Sequence, residues 1–150
     1  MEAQTGKSGN VIPAGAGSRQ VVLGDHQTVK LTGRETGGAF AIIEQNNFPG
    51  VMVPLHYHTR EDEIFYIVEG ELEFTIEGKV ILAKGGTTVH VPREVEHAFK
   101  VIGSKPNKTI ITLVPAGAEE MFRKLSLLPP GPPDFEKVKA ICQEYGIYFA

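Results

Sequence analysis

Two histidines two residues apart, His56 and His58, constrain this chain more than any other feature. On an extended strand residues i and i+2 share a side, whereas on a helix a shared face needs a spacing of three or four. If both rings serve one ligand, the chain is a strand at this point. From Gly50 to Gly70 it reads G-x5-H-x-H-x4-E-x6-G, which adds Glu63 to the pair. His97 follows beyond a strand-like stretch from Gly86 to Pro92. Imidazoles favour borderline divalent ions, and one carboxylate lowers the net charge of such a site. The spacing fits no zinc finger. His56, His58, Glu63 and His97 are therefore candidate ligands of one divalent transition metal.

The flanking sequence also reads as strand. Residues 20–23 and 28–31 flank the turn residues Gly24-Asp25, and residues 38–45 are apolar around Phe40, Ile42 and Ile43. Residues 63–75 form the strongest run and turn at Glu69-Gly70. Glu77-Gly78 predicts a tight hairpin. Residues 97–102 and 109–114 complete the series. Short strands with turn signals about every eight to twelve residues predict a sandwich or barrel. No helical period is legible between Gln20 and Val114.

After Pro115 the period changes. Ala118, Met121, Phe122 and Leu125 follow i, i+3, i+4, i+7, an amphipathic helix. Glu119 and Glu120 in its first turn suit the helix dipole. Pro129-Pro130-Gly131-Pro132-Pro133 ends it as a stiff spacer. A second helix is expected over 134–145, with Phe135, Val138, Ile141, Cys142 and Tyr145 on one side and Gly146 as its cap. These helices, about residues 117–146, are expected to cover an open face of a barrel of about residues 20–115. Residues 1–18 are small, polar and Gly-rich and read as a flexible N-terminal arm. Residues 19–150 read as one domain without internal repeats.

The segment from Gly50 to Gly70 resembles the first motif of the cupin family at every defined position. The family's second motif, G-x5-P-x-G-x2-H-x3-N, has its counterpart in Gly86, Pro92 and His97. Glu94 stands where the family has its second glycine and Val101 where it has asparagine. Neither departure removes a ligand; the first bears on the tightness of the turn before His97. The resemblance runs from about Gly38 to the end and is to small single-domain cupins of the quercetin-dioxygenase-like kind. It implies an all-β double-stranded β-helix, the jelly-roll or cupin barrel, with two C-terminal helices. It also implies one octahedral divalent metal (nickel, manganese, iron, cobalt, copper or zinc) with two coordination positions left open. Small cupins of this sort commonly pair, so a homodimer is expected, the N-terminal arm crossing to the partner.

Strand alternation places the neighbours of the ligands. If Glu63 points inward, so do Phe65 and Ile67; His97 takes Phe99 and Val101 with it. Phe65, Ile67, Phe99 and Val101 are expected to line an apolar substrate pocket. Ile64, Tyr66 and Val68 point the other way, which suggests that both faces of that strand are covered. His90 reads as structural filling or a surface residue, and His26 as a turn residue without a role. Arg60-Glu61-Asp62 reads as a solvated loop, Tyr57 and Tyr66 as packing, and Cys142 as an inert core thiol.

Composition narrows the partners. A chain of 150 residues buries one real core. A net charge of -3 without a Lys/Arg block leaves no electrostatic footprint for nucleic acid. No apolar run has membrane-spanning length. The first ten residues lack the apolar core of a signal peptide, and a single cysteine makes no internal disulfide, so a cytoplasmic setting is expected. The partner expected is a small molecule. The resemblance implies a metal-dependent dioxygenase acting on a flavonol or other metal-chelating phenolic, Glu63 accepting the hydroxyl proton. The alternatives are an isomerase or lyase on a sugar or organic acid, and a non-catalytic small-molecule-binding cupin. A ring of Lys or Arg around the pocket would favour the isomerase or lyase.

Overall fold

The computed structural model describes residues 8–150, so residues 1–7 of the expected arm lie outside the described residues. In chain order the elements are β1 (Ser18–Val22), β2 (Asp25–Leu31), α1 (Gly33–Thr36), β3 (Ala41–Gln45), β4 (Met52–His58), β5 (Asp62–Glu69) and β6 (Glu71–Ile76). There follow β7 (Lys79–Lys84), β8 (Thr88–Val91), β9 (His97–Ile102), β10 (Lys108–Val114), α2 (Ala118–Ser126), α3 (Phe135–Glu144) and β11 (Ile147–Phe149). The strands form two antiparallel sheets, one in the order β1-β2-β3-β10-β5-β8 and the other β11-β4-β9-β6-β7. From β4 to β10 the chain passes back and forth between the sheets and winds as a double-stranded β-helix.

Alternation fills the space between the sheets. Phe65, Ile67, Leu72, Phe74, Val101 and Leu113 are all fully buried there. The rings of Phe65 and Phe74 meet edge to face with centroids 5.0 Å apart. Each such side chain contributes about 1.5–3 kcal/mol by leaving water. The opposite face of β5 is open in the single chain: Tyr66 is 45% and Val68 39% exposed. The expectation that both faces of this strand are covered therefore fails within one chain.

The turns follow residue chemistry. Glu77 and Gly78 both have positive φ, 51° and 78°, and link Ile76 to Lys79 in a two-residue loop. That is the twist a hairpin wants. At Gly70, φ 87°, an added Cβ would lie 2.8 Å from Asn107 Cα, so the β5–β6 corner has no room for a side chain. Glu94 sits at φ 73°, so the turn before His97 keeps its left-handed residue without a glycine. Its backbone N–H donates to His58 O at 2.7 Å, which locks the turn to the end of β4.

Two short elements escape the sequence pattern. The single turn α1 is too short to show a period and exists because Thr32 and Glu35 form a reciprocal capping box. The three residues of β11 pair with β4, Ile147 opposite His58 and Phe149 opposite His56. The helices fall where their periods place them. Asp134 caps α3 by accepting from Glu136 N and Lys137 N. Glu119 of α2 accepts from Gly33 N at 2.7 Å, which ties this helix to α1. Ahead of β1 the chain is held to β2, Lys30 Nζ donating to Ala16 O at 2.6 Å. No helix among the described residues is long and apolar enough to cross a membrane.

Candidate metal centre

Sheet register assembles the four candidate ligands. His56 on β4 pairs directly with His97 on β9, and His58 follows two residues on, on the same side. Glu63 enters from β5 in the facing sheet. The β4–β9 ladder shifts register between Val53 and His56, around Pro54, which has no N–H to give a ladder. The freed Pro54 carbonyl accepts from His56 Nδ1 at 2.8 Å. His97 Nδ1 donates to Val95 O at 2.9 Å, and His58 Nδ1 to Glu61 Oε1 at 2.7 Å. With every Nδ1 so engaged, the three Nε2 atoms are left for the centre. The ligand atoms of His56, His58, Glu63 and His97 all lie within 4.8 Å of one another, and all four residues are buried. Glu63 Oε1 is 3.0 Å from His97 Nε2 and 3.6 Å from His58 Nε2. Three imidazole Nε2 atoms and a carboxylate gathered within reach of one another, each ring anchored from behind, fit a divalent transition ion.

Electrostatics follow from that crowding. Burial alone would raise the Glu63 carboxyl, but His58 and the hydrogen bond from His97 outweigh it and hold the group at about 2. Glu63 is therefore an ionised acceptor. Burial, with His97 and His58 alongside, pushes His56 down to about 3, so its ring stays neutral. His58 also suffers burial, yet Glu63 and Glu61 outweigh it and raise the ring.

Glu61 overturns one expectation. It belongs to no solvated loop: it is 3% exposed and holds His58 in its tautomer. Its neighbours do face water; Asp62 pairs with Arg93 at 3.0 Å, and Arg60 is exposed. His26 and His90 are exposed and take no part in the cluster. Tyr57 stacks on Tyr148 of β11.

A cavity of about 160 Å³ borders the cluster and has His56, His58 and Glu63 in its lining. Of the four residues expected to line it, Phe99 does. Phe65, Ile67 and Val101 instead pack into the barrel core, with Phe65 edge-on to Phe99 at 5.8 Å. Inward phase alone does not mark a pocket, because most of the barrel interior is filled by its own side chains. The cavity is closed instead by Met121, Phe122 and Leu125 of α2 and by Phe135, Val138 and Cys142 of α3. Those are the stripes that the helical periods single out. Burial pushes the Cys142 thiol up to about 11, which keeps it protonated and inert.

The polar lining comes from Asp25, Gln27 and Gln45, which carried no role in the sequence reading. Ala41, Ile43 and Gln45 share one strand phase, and that phase was the available signal. Burial raises the Asp25 carboxyl, while hydrogen bonds from Asn47, Gln27 and Gln45 draw it back. Among the described residues no lysine or arginine lines the cavity.

Known proteins agree with this architecture. The Cupin domain family matches residues 48–113, which span every candidate ligand. The chain is 28% identical over 115 residues to the quercetin 2,3-dioxygenase of Bacillus subtilis, covering 77% of this chain. It spans 34% of that protein's length. Among solved structures, KdgF from a Halomonas species superposes with a TM-score of 0.65 at 19% identity, over 75% of this chain and 99% of that one. Pac13, a nucleoside dehydratase from Streptomyces, superposes at 0.60 with 16% identity, over 75% of this chain and 88% of that one. With two facing antiparallel sheets and a buried three-histidine, one-glutamate cluster between them, the chain has the cupin-type fold, and its residues 48–113 match the Cupin domain family.

Proposed function

We propose that the protein is a metal-dependent dioxygenase acting on a small metal-chelating phenol or enol. The observation that carries this reading is the cavity wall: mostly apolar side chains, the three polar groups Asp25, Gln27 and Gln45, and, among the described residues, no lysine or arginine. A sugar or organic acid calls for a denser set of polar or basic partners than this wall supplies. The similarity to a quercetin 2,3-dioxygenase supports the same class. Size narrows it. An apolar cavity of about 150 Å³ holds one benzene ring, and this one has about 160 Å³. A single chelating ring fits, whereas a whole flavonol enters only when the helical roof moves.

His56, His58, Glu63 and His97 would hold the ion. When bound, it supplies Lewis acidity and reactivity toward dioxygen at one point. Glu63, which lines the cavity, is the side chain that would accept the substrate's hydroxyl proton. Phe99 and the roof hold the ring and exclude water.

The test is oxygen uptake by protein loaded in turn with manganese, iron, cobalt and nickel, offered hydroxypyranones, simple ortho-hydroxyaryl ketones and flavonols. Uptake is expected with the one-ring chelators and is abolished in His56→Ala/His58→Ala, which also loses its metal by elemental analysis. Glu63→Gln should lower turnover by about 10²–10⁴. Turnover of a sugar or acid without oxygen uptake would replace the reading with a lyase or isomerase.

A further inference from the structure

The polar end of the cavity has an order that the metal cluster does not require. Asp25 receives three amide donors: Asn47 Nδ2 at 2.7 Å on Oδ1, and Gln45 Nε2 at 2.7 Å and Gln27 Nε2 at 3.1 Å on Oδ2. An amide that turns its nitrogen to a carboxyl turns its oxygen away. Two of the three oxygens are then taken. Gln27 Oε1 accepts from Gln20 Nε2 at 2.9 Å, and Asn47 Oδ1 accepts from the His26 backbone N–H at 2.7 Å. Gln45 Oε1 accepts from nothing. Among the described residues it is the buried side-chain polar atom left without a partner. Gln45 is 1% exposed and lines the cavity beside Asp25 and Gln27. Buried polar atoms are nearly always paired, and an orphan inside a binding cavity waits for a partner from outside the chain.

We propose that Gln45 Oε1 is the acceptor of a recognition subsite, and that the ligand carries a hydroxyl or N–H donor at the end remote from the metal cluster. The proposal deepens the reading above and rests on it for the ligand's chelating end. Sheet register places the two ends. Gln45 pairs with Thr109 on one side of β10 and Glu63 with Leu113 on its other side, so the acceptor and Glu63 stand four residues apart along β10, on the strands that flank it. That is roughly 13 Å of strand, shortened by side chains reaching inward. Between them the wall is apolar, with Ile111 on the shared strand. The ligand class is then an apolar ring with paired oxygens at one end and a donor at the other. A methyl, ether or carboxylate at that far end brings no proton and leaves Oε1 unpaired. Asp25 acts as a positioning residue: it holds the Gln45 amide with its oxygen free.

Two ligand pairs, each differing in one donor, test the subsite. Kojic acid and allomaltol share a chelating hydroxypyranone, but allomaltol has a methyl where kojic acid has a hydroxymethyl group. They are titrated into zinc-loaded protein, zinc being redox-inert. Phenol and toluene, of one-ring size, are titrated into metal-free protein by calorimetry or NMR. The donor-bearing member of each pair should bind about tenfold more tightly, one hydrogen bond's worth. Gln45→Met should bring that ratio close to one. Asp25→Asn, which offers an amide in place of the carboxyl and frees Gln45 to turn, should narrow it as well, so the idea does not hang on one variant folding. A phenol/toluene preference that depends on Gln45, alongside no binding of either hydroxypyranone, keeps the subsite and removes the chelating-substrate reading. Ratios that are unchanged in both variants overturn the subsite.

Discussion

Glu61 shows how one residue outside the four candidate ligands orients one of them. Its carboxylate accepts from His58 Nδ1 at 2.7 Å, in a position 3% exposed, and so leaves Nε2 toward the candidate cluster. Glu61→Ala removes the acceptor and leaves a buried N–H without a partner. Metal affinity should fall about 10–100-fold, as for other outer partners of metal histidines. Glu61→Gln keeps an acceptor oxygen and should lose less. Zinc competition with a chelating dye measures both, and equal affinity in wild type and Glu61→Ala would remove the positioning role. Glu94 makes the complementary point. Its φ of 73° is one that glycine adopts freely, yet its N–H bond to His58 O holds the turn where His97 needs it.

At the level of elements, the barrel supplies the ligands and the C-terminal helices supply the ceiling. Leu125 of α2 is 5% exposed and lines the cavity. Leu125→Ala should destabilise the fold by about 2–5 kcal/mol, the usual range for a buried leucine. It should also enlarge the cavity that Leu125 lines. Binding of a flavonol relative to a one-ring hydroxypyranone should then rise, while metal content stays unchanged. Urea unfolding gives the first quantity and competition binding the second. An unchanged ligand ratio would mean that the roof does not limit size. The strand β11 belongs to the same account: pairing with β4 opposite His56 and His58, it stiffens the ligand strand from its outer edge.

For the whole molecule, the uncovered side of the six-stranded sheet is the open question. Tyr66 and Val68 on β5 are 45% and 39% exposed, and Val114 on β10 is 36% exposed. Tyr66 pairs with Ile110 and Ile64 with Thr112, so the apolar groups run across neighbouring strands. Contiguous apolar patches on a soluble chain mark association surfaces. We propose that a second copy covers this face. Light scattering at micromolar concentration should return twice the mass of 16.3 kDa, and Tyr66→Glu should return the single-chain mass. A wild-type monomer would remove the proposal.

The candidate cluster was legible in the chain itself, in part by period and in part by resemblance. Residues i and i+2 on a strand must share a side, which pairs His56 with His58, and the resemblance to the cupin motifs added Glu63 and His97. The two helices and the Glu77-Gly78 hairpin were legible for a similar reason, being set by local pattern and turn chemistry. What only the tertiary structure decided is where the interior is full and where it is empty. Phe65, Ile67 and Val101 share the phase of the ligands yet are consumed by packing, while Met121, Leu125 and Val138 from distant helices roof the cavity. Glu61 turned inward because an imidazole N–H was waiting there, and Gln45 was left with a free oxygen because Asp25 took its nitrogen. Partners in pairs such as these lie on different strands or turns, and their choice depends on which polar groups meet when sheets close. Spacing along the chain carries no record of that.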